Sequence, residues 1–210
     1  MNKFTRRTVI AAACAAAAMT FAPMSFAQQA PEKKDVTIAV GGKSLYYYLP
    51  LSIAEQLGYF KDEGLNVKIV DFQGGSRSLQ AVVGGSADVV SGAFEHTISM
   101  QAKKQPMTAF VLQGRAPQLA LVVSNKTMKD YKQLSDLKGK KVGVTAPGSS
   151  SQMVANFILK KGGLGPKDVA FIGVGSSSGA VSAIRSGQID ALINLDPVIT
   201  ILLKNGDAKL

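Results

Sequence analysis

The sequence predicts a parallel α/β fold of two similar lobes, on three observations. Short apolar runs alternate with helical patterns, glycine or serine turns join them, and one stretch repeats another at a constant offset of 102 residues, Ala81 against Ala183. Residues 36–40 form an apolar run ending at Gly41-Gly42, which predicts a buried strand and a sharp turn. A helix follows, with Pro50 at its first position, Leu51, Ala54 and Leu57 on one face, and Gly58 as its stop. Residues 67–70 read as the second strand. Gly74-Gly75-Ser76 then supplies a turn and an N-cap for a helix that turns Leu79, Val82 and Val83 inward and closes at Gly84-Gly85. Strands are predicted at 88–91, 109–112, 119–124, 142–145, 169–174 and 191–195, and helices at 152–161 and 180–186.

The repeat sets residues 80–89 (QAVVGGSADV) against 182–191 (SAIRSGQIDA), sharing Ala, Gly and Asp. At the same offset Gly75-Ser76 falls opposite Ser177-Ser178, so each copy places a turn of small residues before its helix. The lobes are read as 36–116 and 117–203, with a polar linker at 28–35 and a short end at 204–210.

Of 210 residues 46% are hydrophobic and 18% charged, which excludes wholesale disorder. The net charge is +10; without Lys3, Arg6 and Arg7 there remain 21 basic against 14 acidic residues. Such a surplus suits an anionic ligand or a negatively charged surface, yet no more than two basic residues are ever adjacent, so nucleic acid is not an expected partner. Those three cations open a leader at 1–27, followed by an apolar stretch at 9–22 and by Ser25-Phe26-Ala27 as a cleavage point. The stretch is shorter than the roughly 20 residues that span a bilayer, so it reads as an export signal, by the general or the twin-arginine route, to the periplasm. Cys14, the single cysteine, lies within it, which rules out a disulfide framework and a cysteine-built metal site in the mature chain.

In open parallel sheets ligands bind beyond the carboxyl ends of the strands, where helix N-termini offer free N–H groups. Four glycine or serine turns fall there: 41–44, 74–76, 148–151 and 175–178. They nominate Ser44, Gly75, Ser76, Ser149 and Ser150 as contacts for a small anion or polar head group. Glu95 and His96 follow the third strand and reach the same cleft, where they would orient an amine, hydroxyl or ring nitrogen; a lone histidine there is also commonly structural. Tyr46 and Tyr47 would flank a ligand or pack in the core, and Arg115, beyond the strand expected at 109–112, would meet an acidic group or lie solvated in a turn.

Three motifs mislead. Gly175-Ser176-Ser177-Ser178-Gly179 has the form of a nucleophile elbow, but no histidine follows residue 96. Gly173, Gly175 and Gly179 with Asp196 imitate a dinucleotide fingerprint, but too near the chain's end for the rest of such a domain. Gly42-Lys43-Ser44 would end a phosphate loop, but Thr37 stands where its first glycine belongs.

The stretches 58–67 (GYFKDEGLNV), 85–89 (GSADV), 137–144 (LKGKKVGV) and Asp196-Pro197 together resemble the nitrate, sulfonate and taurine type of periplasmic substrate-binding proteins of ABC importers, which also includes binders of thiamine-precursor pyrimidines. The resemblance covers residues 36–203. It implies a two-lobed Venus flytrap of the periplasmic-binding-protein type II, without enzymatic activity, cofactor or metal, and adds Asp196 to the cleft. The partners implied are a small-molecule solute, anionic or polar, and a permease in the inner membrane. Members of this family run on past the Asp196-Pro197 turn to return to the first lobe, so an incomplete first lobe is expected here, and a monomer where the chain is complete. Two rival readings stand beside it: a periplasmic pyrimidine or aromatic-compound binder or enzyme, with Glu95 and His96 as its acid-base pair, and a dinucleotide-dependent oxidoreductase at 173–196.

Overall fold

Two sheets follow one another along the chain. The computed structural model describes residues 31–210; the leader read at 1–27 and the first linker residues lie outside them. In the first sheet β1 (Asp35–Val40) lies between β2 (Asn66–Asp71) and β3 (Val89–Ser91), all parallel, with Ile38 opposite both Ile69 and Val89. A 3-10 turn at Tyr46–Tyr48 leads into α1 (Leu49–Gln56), and α2 (Tyr59–Asp62), α3 (Gly75–Val83) and α4 (Glu95–Ala102) complete this part. Gly58 has φ +81, the left-handed conformation that ends α1 at little steric cost.

The second sheet has the order β6-β5-β7-β4-β8, built from β4 (Ala120–Ser124), β5 (Lys141–Val144), β6 (Ala170–Gly173), β7 (Ala191–Asn194) and β8 (Ala208–Lys209). Its helices are α5 (Ser150–Lys161), α6 (Ser178–Ser186) and α7 (Val198–Lys204). β5 runs parallel to β6 and β7, but β4 is antiparallel to both β7 and β8, so the expected all-parallel pattern fails at this edge. The reason is topological: β4 enters from the first sheet without a helical crossover, and only such a crossover brings a strand back parallel.

Both faces of the second sheet are covered. Val123, Val142 and Ile193 join one buried cluster while their neighbours Val122 and Leu192 join the other, which is why these strands read as continuous apolar runs. The first sheet has a larger cluster of Ile38, Val40, Leu45, Tyr48 and Leu195 on one face and a small alanine cluster, Ala39, Ala81 and Ala87, on the other.

The internal repeat is structural. Ser86 N–H donates to the Ala81 carbonyl and Gln188 N–H to the Ala183 carbonyl, closing α3 and α6 through Gly85 and Gly187, both at positive φ. The shared aspartate then clasps the neighbouring strand. Asp88 takes the Thr37 N–H on Oδ2 and donates its own N–H to the Thr37 carbonyl, and Asp190 does the same with Lys141.

Three local expectations are corrected. Residues 109–112 form no strand: Phe110, Val111 and Leu112 are 71–75% exposed, with no neighbouring strand to pair them among the described residues. Leu79 is buried as expected, but Val83 is exposed and α3 buries Ser78 and Ala81 beside Leu79, because the small side chains let the helix lie close on β1. Ser76 is not the cap of α3, which begins at Gly75 after Gly74.

Candidate functional site

The glycine and serine turns at the carboxyl ends of both sheets meet. Ser76 at the start of α3 donates its hydroxyl to the Pro147 carbonyl at 2.8 Å and its N–H to Ser149 Oγ at 3.1 Å, and the two serine hydroxyls lie 3.2 Å apart. Tyr46 N–H donates to the Asp196 carbonyl at 3.0 Å. These bonds form because short side chains let the backbones approach: a Cβ on Gly74 would stand 2.8 Å from that of Ala146, and one on Gly42 would strike Ser176.

Beside these contacts lies a cavity of about 60 Å³. From the first sheet Gly41, Tyr47, Gly75 and Glu95 line it, and from the second Thr145, Ser150 and Met153, with Leu45, Leu195 and Leu119 as apolar wall. Tyr47 and Tyr48 are packed edge to face, their ring centres 5.0 Å apart. Tyr48 is buried and accepts the Gly41 N–H at 3.1 Å, and burial pushes its hydroxyl up to about 12. The Tyr47 hydroxyl is also raised, first by burial and then by the Glu95 charge.

Glu95 and His96 open α4 and are the distinctive pair here. Glu95 Oε1 and His96 Nε2 are buried without a hydrogen-bond partner. Native proteins leave few such atoms, since each forgoes about 1–3 kcal/mol of solvation. His96 is 6% exposed, and its Nε2 lies 3.1 Å from where a Cβ on Gly75 would stand, so the missing side chain of a cavity-lining residue is what leaves this nitrogen room. Burial lowers its pKa below the ordinary 6.5, the Glu95 charge opposes that, and Lys103 adds to it. Glu95 can therefore offer the cavity a carboxylate acceptor, with a neutral imidazole next to it in the chain.

The other nominated residues are placed differently. Ser149 is buried and bonded to Ser76, Ser150 lines the cavity, and Ser44 and Tyr46 are exposed. Asp196 turns its Oδ1 onto the N–H and hydroxyl of Thr200 in the first turn of α7. Arg115 is exposed in the connection between the sheets, because the strand expected to carry it does not form; Gln113 instead anchors that connection, bonding Ser91 and the Tyr47 carbonyl. The 41–44 turn was expected to hold an anion, but the Asp71 carboxylate already takes the N–H groups of Gly42 and Lys43, at 2.8 and 2.9 Å. Asp71 ends β2, and its signal in the sequence was only an acid after an apolar run. Sequence reasoning also missed Thr145 and Ser151, whose hydroxyls pair at 2.9 Å in the cavity wall. Among the described residues no group of three or more potential metal ligands occurs, and no helix is long and apolar enough to cross a membrane.

Known proteins share this fold. A protein of solved structure from Bordetella bronchiseptica RB50 is 64% identical with a TM-score of 0.82, over 84% of this chain and 56% of that one. The alkanesulfonate-binding protein SsuA from Xanthomonas axonopodis pv. citri, solved bound to MOPS, is 23% identical with a TM-score of 0.65, over 86% of this chain and 61% of that one. In sequence, the 4-amino-5-hydroxymethyl-2-methylpyrimidine phosphate synthase of Schizosaccharomyces pombe is 27% identical over 162 residues, 77% of this chain and 45% of that protein. The chain thus spans about half the length of the relatives it matches. Its fold is the two-lobed α/β fold of the periplasmic-binding-protein type II. The family description NMT1/THI5 like matches residues 46–203, and the chain belongs to that family.

Proposed function

We propose that this chain acts as the solute-binding component of an ABC import system, holding a small polar organic solute between its two sheets and delivering it to a membrane permease. The observation that carries this reading is the cavity at the meeting of both sheets, lined by Glu95, whose Oε1 is buried and unpartnered, with the equally unpartnered His96 Nε2 behind the lining residue Gly75. A solute with an N–H, ammonium or hydroxyl donor satisfies the carboxylate, and closing the two halves over it removes the pair from water. The same carboxylate repels a bare anion such as nitrate. Among the solutes expected from sequence, a zwitterion such as taurine or an aminated heterocycle therefore fits better than nitrate.

The test is equilibrium dialysis of the full chain against taurine, an alkanesulfonate, nitrate and an aminopyrimidine. Stoichiometric binding of a donor-bearing solute is expected, weakened roughly 10- to 100-fold by Glu95→Gln, the range that loss of a charged hydrogen bond implies. Nitrate bound as tightly as the donor solutes and indifferent to Glu95→Gln would sink the assignment. A second reading, an enzyme of pyrimidine metabolism, is favoured by the match to the yeast synthase and by the adjacency of Glu95 and His96. It requires product formation that His96→Gln abolishes.

A further inference from the structure

From Ala120 onward the chain carries eleven lysines, one arginine, six aspartates and no glutamate. Their placement is one-sided. The turns of this half that face the first sheet, 145–149, 174–177 and 195–197, contain no lysine or arginine. The opposite end, where β5, β6 and β7 begin and the helices finish, gathers the cations. Lys138, Lys140 and Lys141 lead into β5, Lys160 and Lys161 end α5, and Lys167 sits in the turn before β6. These segments are contiguous: Ala170 N–H donates to the Lys140 carbonyl, Gly139 N–H to the Asp168 carbonyl, and Gly162 packs on Leu134 just upstream of the first lysines. Five of the six are exposed and Lys140 is half-buried.

Four acids of this half have partners of their own. Asp168 takes the Gly165 N–H, Asp190 the Lys141 N–H, and Asp136 the N–H groups of Lys132 and Gln133. Asp207 pairs with Arg185, which is the only ion pair of this half among the described residues. Asp130 is exposed between Lys129 and Lys132, and none of the six lysines of this face forms an ion pair among the described residues, so cationic charge exceeds acidic charge there.

We propose that this end is a docking surface for a bilayer bearing anionic headgroups. The residue type favours lipid over protein. Protein interfaces are depleted in lysine and centre on aromatic or arginine anchors, whereas here strongly hydrated point charges are spread over a broad face, with Phe157 beneath Lys161 as the one aromatic contact. Diffuse charge of that kind is drawn to a planar anionic surface and needs no matched pocket. Docking through this end leaves the cleft end of the molecule free, and it requires no particular solute, so it stands or falls apart from the binding reading above.

The experiment is co-sedimentation of the full chain with vesicles of phosphatidylcholine alone, and of equal parts phosphatidylcholine and phosphatidylglycerol. Partition onto the mixed vesicles alone is expected, weakening steeply with added salt. Lys138→Glu/Lys160→Glu/Lys161→Glu/Lys167→Glu lowers that partition about tenfold or more, while the control Lys68→Glu/Lys103→Glu/Lys104→Glu, in the first half of the chain, keeps it. Circular dichroism melting verifies that both variants are folded, and should the fourfold variant melt early, Lys160→Gln/Lys161→Gln replaces it. Equal binding to both vesicle types would mean insertion of an apolar segment and overturns the proposal, as does binding indifferent to the lysine substitutions. Soluble polyglutamate or duplex DNA bound more tightly than the mixed vesicles would assign the face to a polyanionic macromolecule instead.

Discussion

His96 is held neutral by its surroundings, and this has a thermodynamic consequence. Its folded pKa lies below the ordinary 6.5 because burial disfavours the imidazolium more than the Glu95 charge supports it. As pH falls through the ordinary value the unfolded chain takes up this proton before the folded chain does, so stability falls with it; above that value the contribution is constant. The melting temperature of the wild type should therefore drop more between about pH 7.5 and about pH 5.5 than that of His96→Gln, whose side chain does not titrate. Identical pH profiles would mean that the imidazole takes up its proton as readily in the folded protein as in the unfolded chain. Glu95 and His96 could be singled out because they follow a strand, but their missing partners could not. Whether a polar atom is satisfied depends on what the rest of the fold brings to it, and no local pattern reports that.

At the level of elements, four of the five strands of the second sheet could be read to within about two residues because burial on both faces makes them continuous apolar runs, while the two-residue β8 was not read. The antiparallel course of β4 could not, since direction depends on the connection and not on the strand's own residues. The failed strand at 109–112 shows the complementary limit: an apolar run specifies a strand only where an edge stands ready to pair with it. The aspartates of the repeat show how much can lie in a shared letter. Asp190 joins the start of β7 to the start of β5 through two bonds with Lys141, one from its carboxylate and one from its backbone. Asp190→Ala removes the first and should cost about 1.5 kcal/mol in urea unfolding, with Asp190→Asn recovering part of it. An alanine variant as stable as the wild type would reduce the clasp to a passive consequence of strand pairing.

For the molecule as a whole, the first sheet is the vulnerable part. β3 is paired on one side only, by β1, and near it Gln113 ties down the end of a segment whose Phe110, Val111 and Leu112 are 71–75% exposed. Phe94 and Ile98, one turn apart on α4, are 67% and 65% exposed as well. An open strand edge beside exposed apolar side chains invites intermolecular pairing. Sedimentation velocity should show association that grows with concentration and that Val111→Lys suppresses; one sedimenting species at every concentration would show that the edge is protected. The charge of the molecule is likewise uneven, and the surplus that suggested an anionic solute is concentrated away from the cleft. At the 41–44 turn the Asp71 carboxylate on the N–H groups of Gly42 and Lys43 behaves as a tethered ligand. A ligand joined to its site by the chain is present at an effective concentration on the order of millimolar or higher, and washing cannot remove it. Phosphate or sulfate in a buffer competes poorly for that turn, so it stays closed whether or not a solute is present, and discrimination among solutes falls to other groups such as Glu95.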